Sequence, residues 1–199
     1  VKRVLEAMCI PLLEVEGYEA DDVIGTLSQK GVEAGYEVFM VTPDKDYGQL
    51  VRDNCRIYKQ KGADGAIEIV GREAIREKYG IEPPQLIDVK SLMGDASDNI
   101  PGVPGIGEKT ALALISKFGS LQGVYDNIDD KAVKPGQRAK LTANRDKADL
   151  SYMLGTIRKD APIETDPAAY LRQPGDPAAA AQLLAALEMH KLVDRWGLN

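Results

Sequence analysis

The chain has 199 residues, 44% hydrophobic and 28% charged, with 31 acidic against 25 basic side chains and a formal net charge of −6. That length allows one or two compact domains with a sizeable core, and the acid excess excludes a whole-surface basic footprint, so any nucleic-acid contact must rest on local basic patches. Two cysteines, Cys9 and Cys55, and one histidine, His190, leave no zinc ribbon, disulfide framework or His-based triad to build, and no apolar run is long enough to span a bilayer. A reduced cytoplasmic setting without membrane attachment is expected.

Val1, Val4, Leu5 and Met8 recur at helical spacing with no initiator Met before them, as in a fragment that begins inside a helix. Ile10 to Val15 reads as a short strand. Ala20, Val23, Ile24, Leu27 and Ala34 mark a helix with one buried face, ended by Gly35. Tyr36 to Thr42 is a β-rich run, and a strand, helix, strand order of this length favours a parallel sheet. A hairpin is expected next, with Arg56–Lys59 paired to Ala66–Val70 across the turn Gly62-Ala63-Asp64-Gly65. Helices follow from about Arg72 to Tyr79, closed by Gly80, and from about Pro84 to Met93, and the rest reads as helical. Lys159 to Pro177 is a Pro- and Asp-rich loop, Asp176-Pro177 starts an Ala/Leu helix reaching about Leu187, and Leu192 to Leu198 is a short amphipathic tail.

Seven carboxylates fall in three clusters: Glu19, Asp21 and Asp22, then Asp44 and Asp46, then Asp95 and Asp98. Each cluster has an ordinary reading. Acids favour the first turn of a helix, Pro43-Asp44-Lys45-Asp46 can be a polar turn in which Asp46 caps the next helix, and Gly94 to Asn99 is turn-rich by itself. Jointly they lie at element termini, one of them beyond the carboxyl end of a strand where α/β sheets bind ligands, and hard oxygen ligands in groups select Mg²⁺ or Mn²⁺. The third cluster runs directly into Pro101-Gly102-Val103-Pro104-Gly105-Ile106-Gly107-Glu108-Lys109-Thr110-Ala111. This is a tight hairpin feeding a helix whose buried face is Ala111, Leu114 and Ile115. Gly105 and Gly107 allow close backbone approach, and Lys109 puts a cation where the helix dipole disfavours one, a conflict that a bound phosphate resolves. The ordinary alternative is a helix–turn–helix packing element. Lys131, Lys134, Arg138, Lys140, Arg145 and Lys147 form a basic stretch that either tracks a DNA backbone or is a solvated face.

Gly17-Tyr18-Glu19-Ala20-Asp21-Asp22-Val23-Ile24, Thr42-Pro43-Asp44-Lys45-Asp46 and the run from Gly94 to Ala111 resemble the 5′-nuclease (flap endonuclease) domains of bacterial DNA polymerases of the polymerase I type. The order and spacing run along the whole chain. The resemblance implies an α/β fold, a parallel-type central sheet with helices forming a truncated PIN-like core over residues 1–93, followed by a helix–hairpin–helix subdomain over residues 94–199. It makes Glu19, Asp21, Asp22, Asp44, Asp46, Asp95 and Asp98 catalytic, metal-binding carboxylates. It makes Gly105, Ile106, Gly107, Lys109 and Thr110 the duplex-DNA contact, with a K⁺ ion held by hairpin carbonyls. Two Mg²⁺ or Mn²⁺ ions would then serve hydrolysis of DNA with a 5′ flap or nick, or of an RNA primer on DNA, by a monomer with a polymerase domain downstream.

Members of that family begin with a strand bearing a metal-binding Asp, a second Asp and a basic helical arch, none of which precedes Val1. The chain is therefore expected to be a truncated piece with little activity alone. The competing reading from another class is a non-catalytic duplex-binding helix–hairpin–helix module. A phosphoacceptor receiver domain, the third reading, leaves Gly105 to Thr110 unexplained.

Overall fold

The computed structural model describes residues 1–61 and 65–198. In chain order its elements are α1 (Lys2–Ala7), α2 (Ala20–Glu33), β1 (Val38–Val41), β2 (Cys55–Lys61), β3 (Ala66–Val70), α3 (Arg72–Tyr79), α4 (Leu86–Met93), α5 (Glu108–Phe118), α6 (Leu121–Asp126), α7 (Pro135–Ala143), α8 (Arg145–Gly155), α9 (Pro177–Ala186) and α10 (His190–Trp196). They form two compact units, one of Val1–Ala34 with Lys159–Asn199 and one of Gly35–Arg158.

In the first unit, α1 and α10 both pack on α9, in a cluster of Val4, Leu184 and Val193. The Asp176 side chain accepts the Ala179 N–H at 3.0 Å and starts α9 as its sequence indicates. Thr26, 1% exposed, turns its hydroxyl to the Asp22 carbonyl at 2.7 Å and accepts the Ala161 N–H at 3.0 Å, tying α2 to the loop that precedes α9. The strand expected over Ile10 to Val15 is not formed: this stretch is irregular, Pro11 lacks a backbone donor, and none of the described strands pairs with it.

The second unit holds a small mixed sheet in the order β1-β2-β3. β1 runs parallel to β2, with Met40 opposite Ile57, and β2 pairs antiparallel with β3, with Ile57 opposite Val70. The expected hairpin is thus present, and the tip of its turn, Gly62 to Asp64, lies outside the described residues. Met40, Cys55 and Ile57 point into the core while Phe39 and Val41 alternate to the outside. α3 ends at Gly80 in the left-handed region, φ +71°, as its sequence indicates.

One core joins α4 to the helices after it through Leu92, Val103, Ile115, Val124 and Leu141. Gly102 decides how closely the chain passes itself here. Its φ is +58°, and a Cβ would lie 2.2 Å from the Gly94 nitrogen, so only glycine lets the segment after the acidic loop return over the end of α4. The Val103 N–H then bonds to the Leu92 carbonyl at 2.8 Å, and the Gly102 N–H to the Ser151 hydroxyl at 2.9 Å.

Candidate metal centre and nucleic-acid interface

Beyond β1, the chain turns at Pro43 into a 3₁₀ segment, Lys45–Leu50, anchored by buried Tyr47 and Leu50. Asp44 caps it, accepting the Asp46 N–H at 2.9 Å. The cap is thus Asp44 and not Asp46, as the ordinary reading of this turn had it, and Asp46 faces the cleft. At the end of α4, Gly94 (φ +76°) opens a loop closed by paired backbone bonds of 2.9 Å between Asp95 and Ile100, with Asn99 left-handed at φ +59°. This locked loop presents Asp95 and Asp98 to Asp46, and one carboxylate oxygen from each of the three lies within 4.8 Å of the others.

Two lysines neutralise the cluster. The Lys90 ammonium is 2.5 Å from Asp46, 2.8 Å from Asp98 and 3.4 Å from Asp95, and the Lys45 ammonium is 3.0 Å from Asp95. Ser97 donates both its N–H and its hydroxyl to Asp95. These Ser97 bonds, with Lys45 behind them, hold the Asp95 carboxyl well below the usual carboxylate range against the opposing effect of burial. Burial pushes Asp46 up despite its bond to Lys90. Burial works against the Lys90 charge as well, but bonds to Asp46 and Asp98 outweigh it and raise its pKa. Asp95 Oδ2 is buried without a hydrogen bond of regular geometry, its charge balanced by the lysines alone.

The cluster opens into a cleft of about 250 Å³ that is also lined by Pro43, Asp44, Ile75 and, from α5, Glu108 and Leu112. Three convergent carboxylates, one with a buried oxygen lacking a directional donor, fit a hard divalent cation, and such an ion competes with Lys90 for the same oxygens. Sequence reasoning missed Lys90 and Lys45. The signal for Lys90 was a lysine inside the mostly apolar Leu86–Met93, where a buried ammonium requires acidic partners.

Glu19, Asp21 and Asp22 belong to the other compact unit, at the start of α2. There the Asp22 carboxylate accepts the Glu19 N–H at 3.2 Å. The described carboxylates that converge are Asp46, Asp95 and Asp98.

In the hairpin, Ile106 is 3% exposed and anchors the turn, Gly105 is left-handed at φ +80°, and Gly107 is the N-cap of α5 with no side-chain cap. A Cβ on Gly107 would meet nothing within 4 Å, so its backbone faces open space. Lys109 and Gly107 are exposed, and Thr110 is partly so. From the basic stretch, Lys140 reaches the hairpin and donates to the Gly105 carbonyl at 3.1 Å. Arg138 is instead engaged by Asp129 and the Ile128 carbonyl, and Arg145 lies over the Tyr125 ring at 4.6 Å. Three of the six basic residues thus make internal ties.

Residues 1–80 match the family model described as 5′-3′ exonuclease, N-terminal resolvase-like domain, and residues 81–178 match that described as 5′-3′ exonuclease, C-terminal SAM fold. DNA polymerase I of Bacillus caldotenax is 46% identical over 166 residues, which span 82% of this chain and 19% of that protein. The thermostable DNA polymerase I of Thermus thermophilus is 41% identical over 199 residues, all of this chain and 23% of the relative. The 5′-3′ exonuclease of Buchnera aphidicola is 44% identical over 167 residues, 81% of this chain and 57% of its own length. Among solved structures, T5 5′-exonuclease with bound zinc aligns at a TM-score of 0.60 and 26% identity over 73% of this chain and 52% of its own. The catalytic core of Rad2 in complex with DNA substrate aligns at 0.68 and 20% identity over 100% of this chain and 68% of its own, a likeness of fold.

Proposed function

The chain belongs to the 5′-3′ exonuclease family, whose two domain models cover residues 1–178, and from that premise we propose that it is a metal-dependent 5′-nuclease module acting on DNA with a 5′ flap or nick, or on an RNA primer paired to DNA. The carrying observation is the convergence of Asp46, Asp95 and Asp98 from two separately locked loops. Because the chain spans 19% to 23% of its DNA polymerase I relatives, a polymerase domain downstream belongs to the proposal, as does a monomeric, cytoplasmic state.

In this reading Asp46, Asp95 and Asp98 hold a divalent ion, Mg²⁺ or Mn²⁺, with Asp44 beside them. Hydrolysis would use two such ions, and Glu19, Asp21 and Asp22 are metal-binding carboxylates by the family resemblance. Such ions, when bound, make water a nucleophile at neutral pH and stabilise the leaving oxygen. The protein contributes placement. Locked loops fix the acids, Lys90 and Lys45 keep the cluster compact until it is loaded, and Gly105, Ile106, Gly107, Lys109 and Thr110 grip a duplex phosphate through backbone N–H groups and one ammonium, with a K⁺ ion at the hairpin carbonyls. Residues 1–93 would serve the metal site together with Asp95 and Asp98, and the rest of residues 94–199 mainly the duplex.

The neutralisation of the acids by two lysines favours one other reading, a non-catalytic duplex-binding module in which the cluster is a structural ion-pair network. A labelled 5′-flap substrate separates the two. Cleavage that requires Mg²⁺ or Mn²⁺ and disappears in Asp98→Ala is the outcome of the nuclease reading. Because little cleavage is expected of the chain alone, the module is favoured only by duplex binding with no cleavage in either metal and no Mn²⁺ binding that depends on Asp46.

A further inference from the structure

We propose, on the basis of the metal-dependent nuclease reading, that the cleft beside the acidic centre is a subsite for a single nucleobase whose own phosphate lies at the carboxylates. The cleft lies within the second unit and has two chemically different parts. Asp46, Asp95, Lys45 and Lys90 make one of them charged. Ile57 from β2, Val70 from β3, Ile75 from α3, Leu86 and Met93 from α4 and Leu112 from α5 make the other apolar.

The apolar part has fixed walls. Ile57 and Ile75 are 5% and 3% exposed, members of the packed core. Val70, Leu86, Met93 and Leu112 are only partly buried, so each still offers apolar surface to an occupant. Leu86 leans over Gly48, where a Cβ would lie 2.6 Å from the Leu86 Cδ1, so the glycine is what lets that wall stand where it does. Met93 brings a polarisable thioether, which packs favourably on aromatic rings. At about 250 Å³ the cleft falls below the usual range of sites for drug-sized ligands, and suits one ring system and not a stretch of strand. With a divalent ion on Asp46, Asp95 and Asp98, the charged part attracts phosphate, and Lys45, 66% exposed and paired to Asp95 at 3.0 Å, adds a cation there. A ligand that joins an anion to a flat, largely apolar ring over so short a span is a nucleotide. Glu108 and Lys78 also line the cleft and give an acceptor and a donor for the polar edge of a base. Every base carries both kinds of group on that edge, so the subsite takes any of them.

Titration of the ¹³C-methyl-labelled chain in Mg²⁺ with deoxyadenosine monophosphate, and separately with deoxyribose 5-phosphate, which lacks the base, tests the subsite. The nucleotide is expected to saturate with ring-current shifts at the methyls of Val70, Ile75 and Leu112, and to bind about tenfold or more tightly than the sugar phosphate, because only it buries a ring against the apolar walls. Leu112→Gln should remove most of that advantage. Equal affinity for the two ligands overturns the proposal, as does saturation by the nucleotide that leaves these methyls unmoved. Absence of binding by either ligand overturns it too, and Mn²⁺ calorimetry then separates the two failures: Mn²⁺ affinity that depends on Asp46 leaves the metal centre standing and removes the base subsite alone, whereas no such affinity removes both. Should Leu112→Gln fail to fold, the comparison of the two ligands on the wild-type chain still decides.

Discussion

Lys90 stands where the electrostatics of the acidic centre are decided. Its ammonium touches three carboxylates that would otherwise repel one another, so Lys90→Ala is expected to lower the melting temperature in EDTA and to regain much of the loss on adding Mn²⁺. Differential scanning fluorimetry reads both effects, and a loss that Mn²⁺ does not relieve would speak against a cation site. Asp95 carries a pH dependence of definite sign. Its carboxyl is held down in the folded protein, so its charge stabilises the fold above the ordinary Asp pKa of about 3.9, and that contribution is lost as pH falls toward the folded value. The gap in melting temperature between wild type and Asp95→Asn should therefore be steady above about pH 5 and shrink below about pH 4. A gap that widens on acidification would contradict it.

Asp88 shows how one side chain fastens two elements. It is 7% exposed on α4, and its Oδ1 accepts the Leu121 N–H at 2.8 Å across to the start of α6. Burial raises its pKa against that bond, so folding penalises the charged carboxylate more than a neutral group of the same shape. Asp88→Asn keeps an acceptor without the charge and is expected to melt at the same temperature or higher. Asp88→Leu orphans the Leu121 N–H and should cost about 1–3 kcal/mol in urea unfolding. At the hairpin, stability and binding should part company. Gly107 occupies open space at an ordinary φ of −95°, so Gly107→Val should leave the melting temperature nearly unchanged while weakening duplex binding by blocking backbone approach. Lys109→Ala should lower the salt slope of binding by about one phosphate. Anisotropy titrations at several salt concentrations check both, and wild-type affinity in both variants would reduce the hairpin to a packing element.

Across the molecule, what sequence made legible were features with local causes. Arg72 to Tyr79 ends at Gly80 because a left-handed residue is needed there, Asp176 caps α9 through its own side chain, and the β2–β3 hairpin follows from alternation around turn residues. The acidic clusters were legible as motifs, and so was the hairpin leading into α5. Features that depend on distant partners were not. Ile10 to Val15 has strand composition but no pairing strand among the described residues, Lys90 acquires its role only when α4 meets the loop after β1, and the Lys140 bond to Gly105 joins residues far apart in sequence. That Asp44 and not Asp46 is the cap turns on the backbone entering a 3₁₀ segment two residues earlier than the Asp46-cap reading implies. Central to the functional account is that Asp46, Asp95 and Asp98 act together as a divalent-metal centre from which Lys90 must withdraw. Calorimetric titration of Mn²⁺ into wild type, Asp46→Asn and Lys90→Ala tests this most directly. Binding that falls about tenfold or more in Asp46→Asn and tightens in Lys90→Ala is the predicted result, whereas Mn²⁺ affinity indifferent to both substitutions would contradict it.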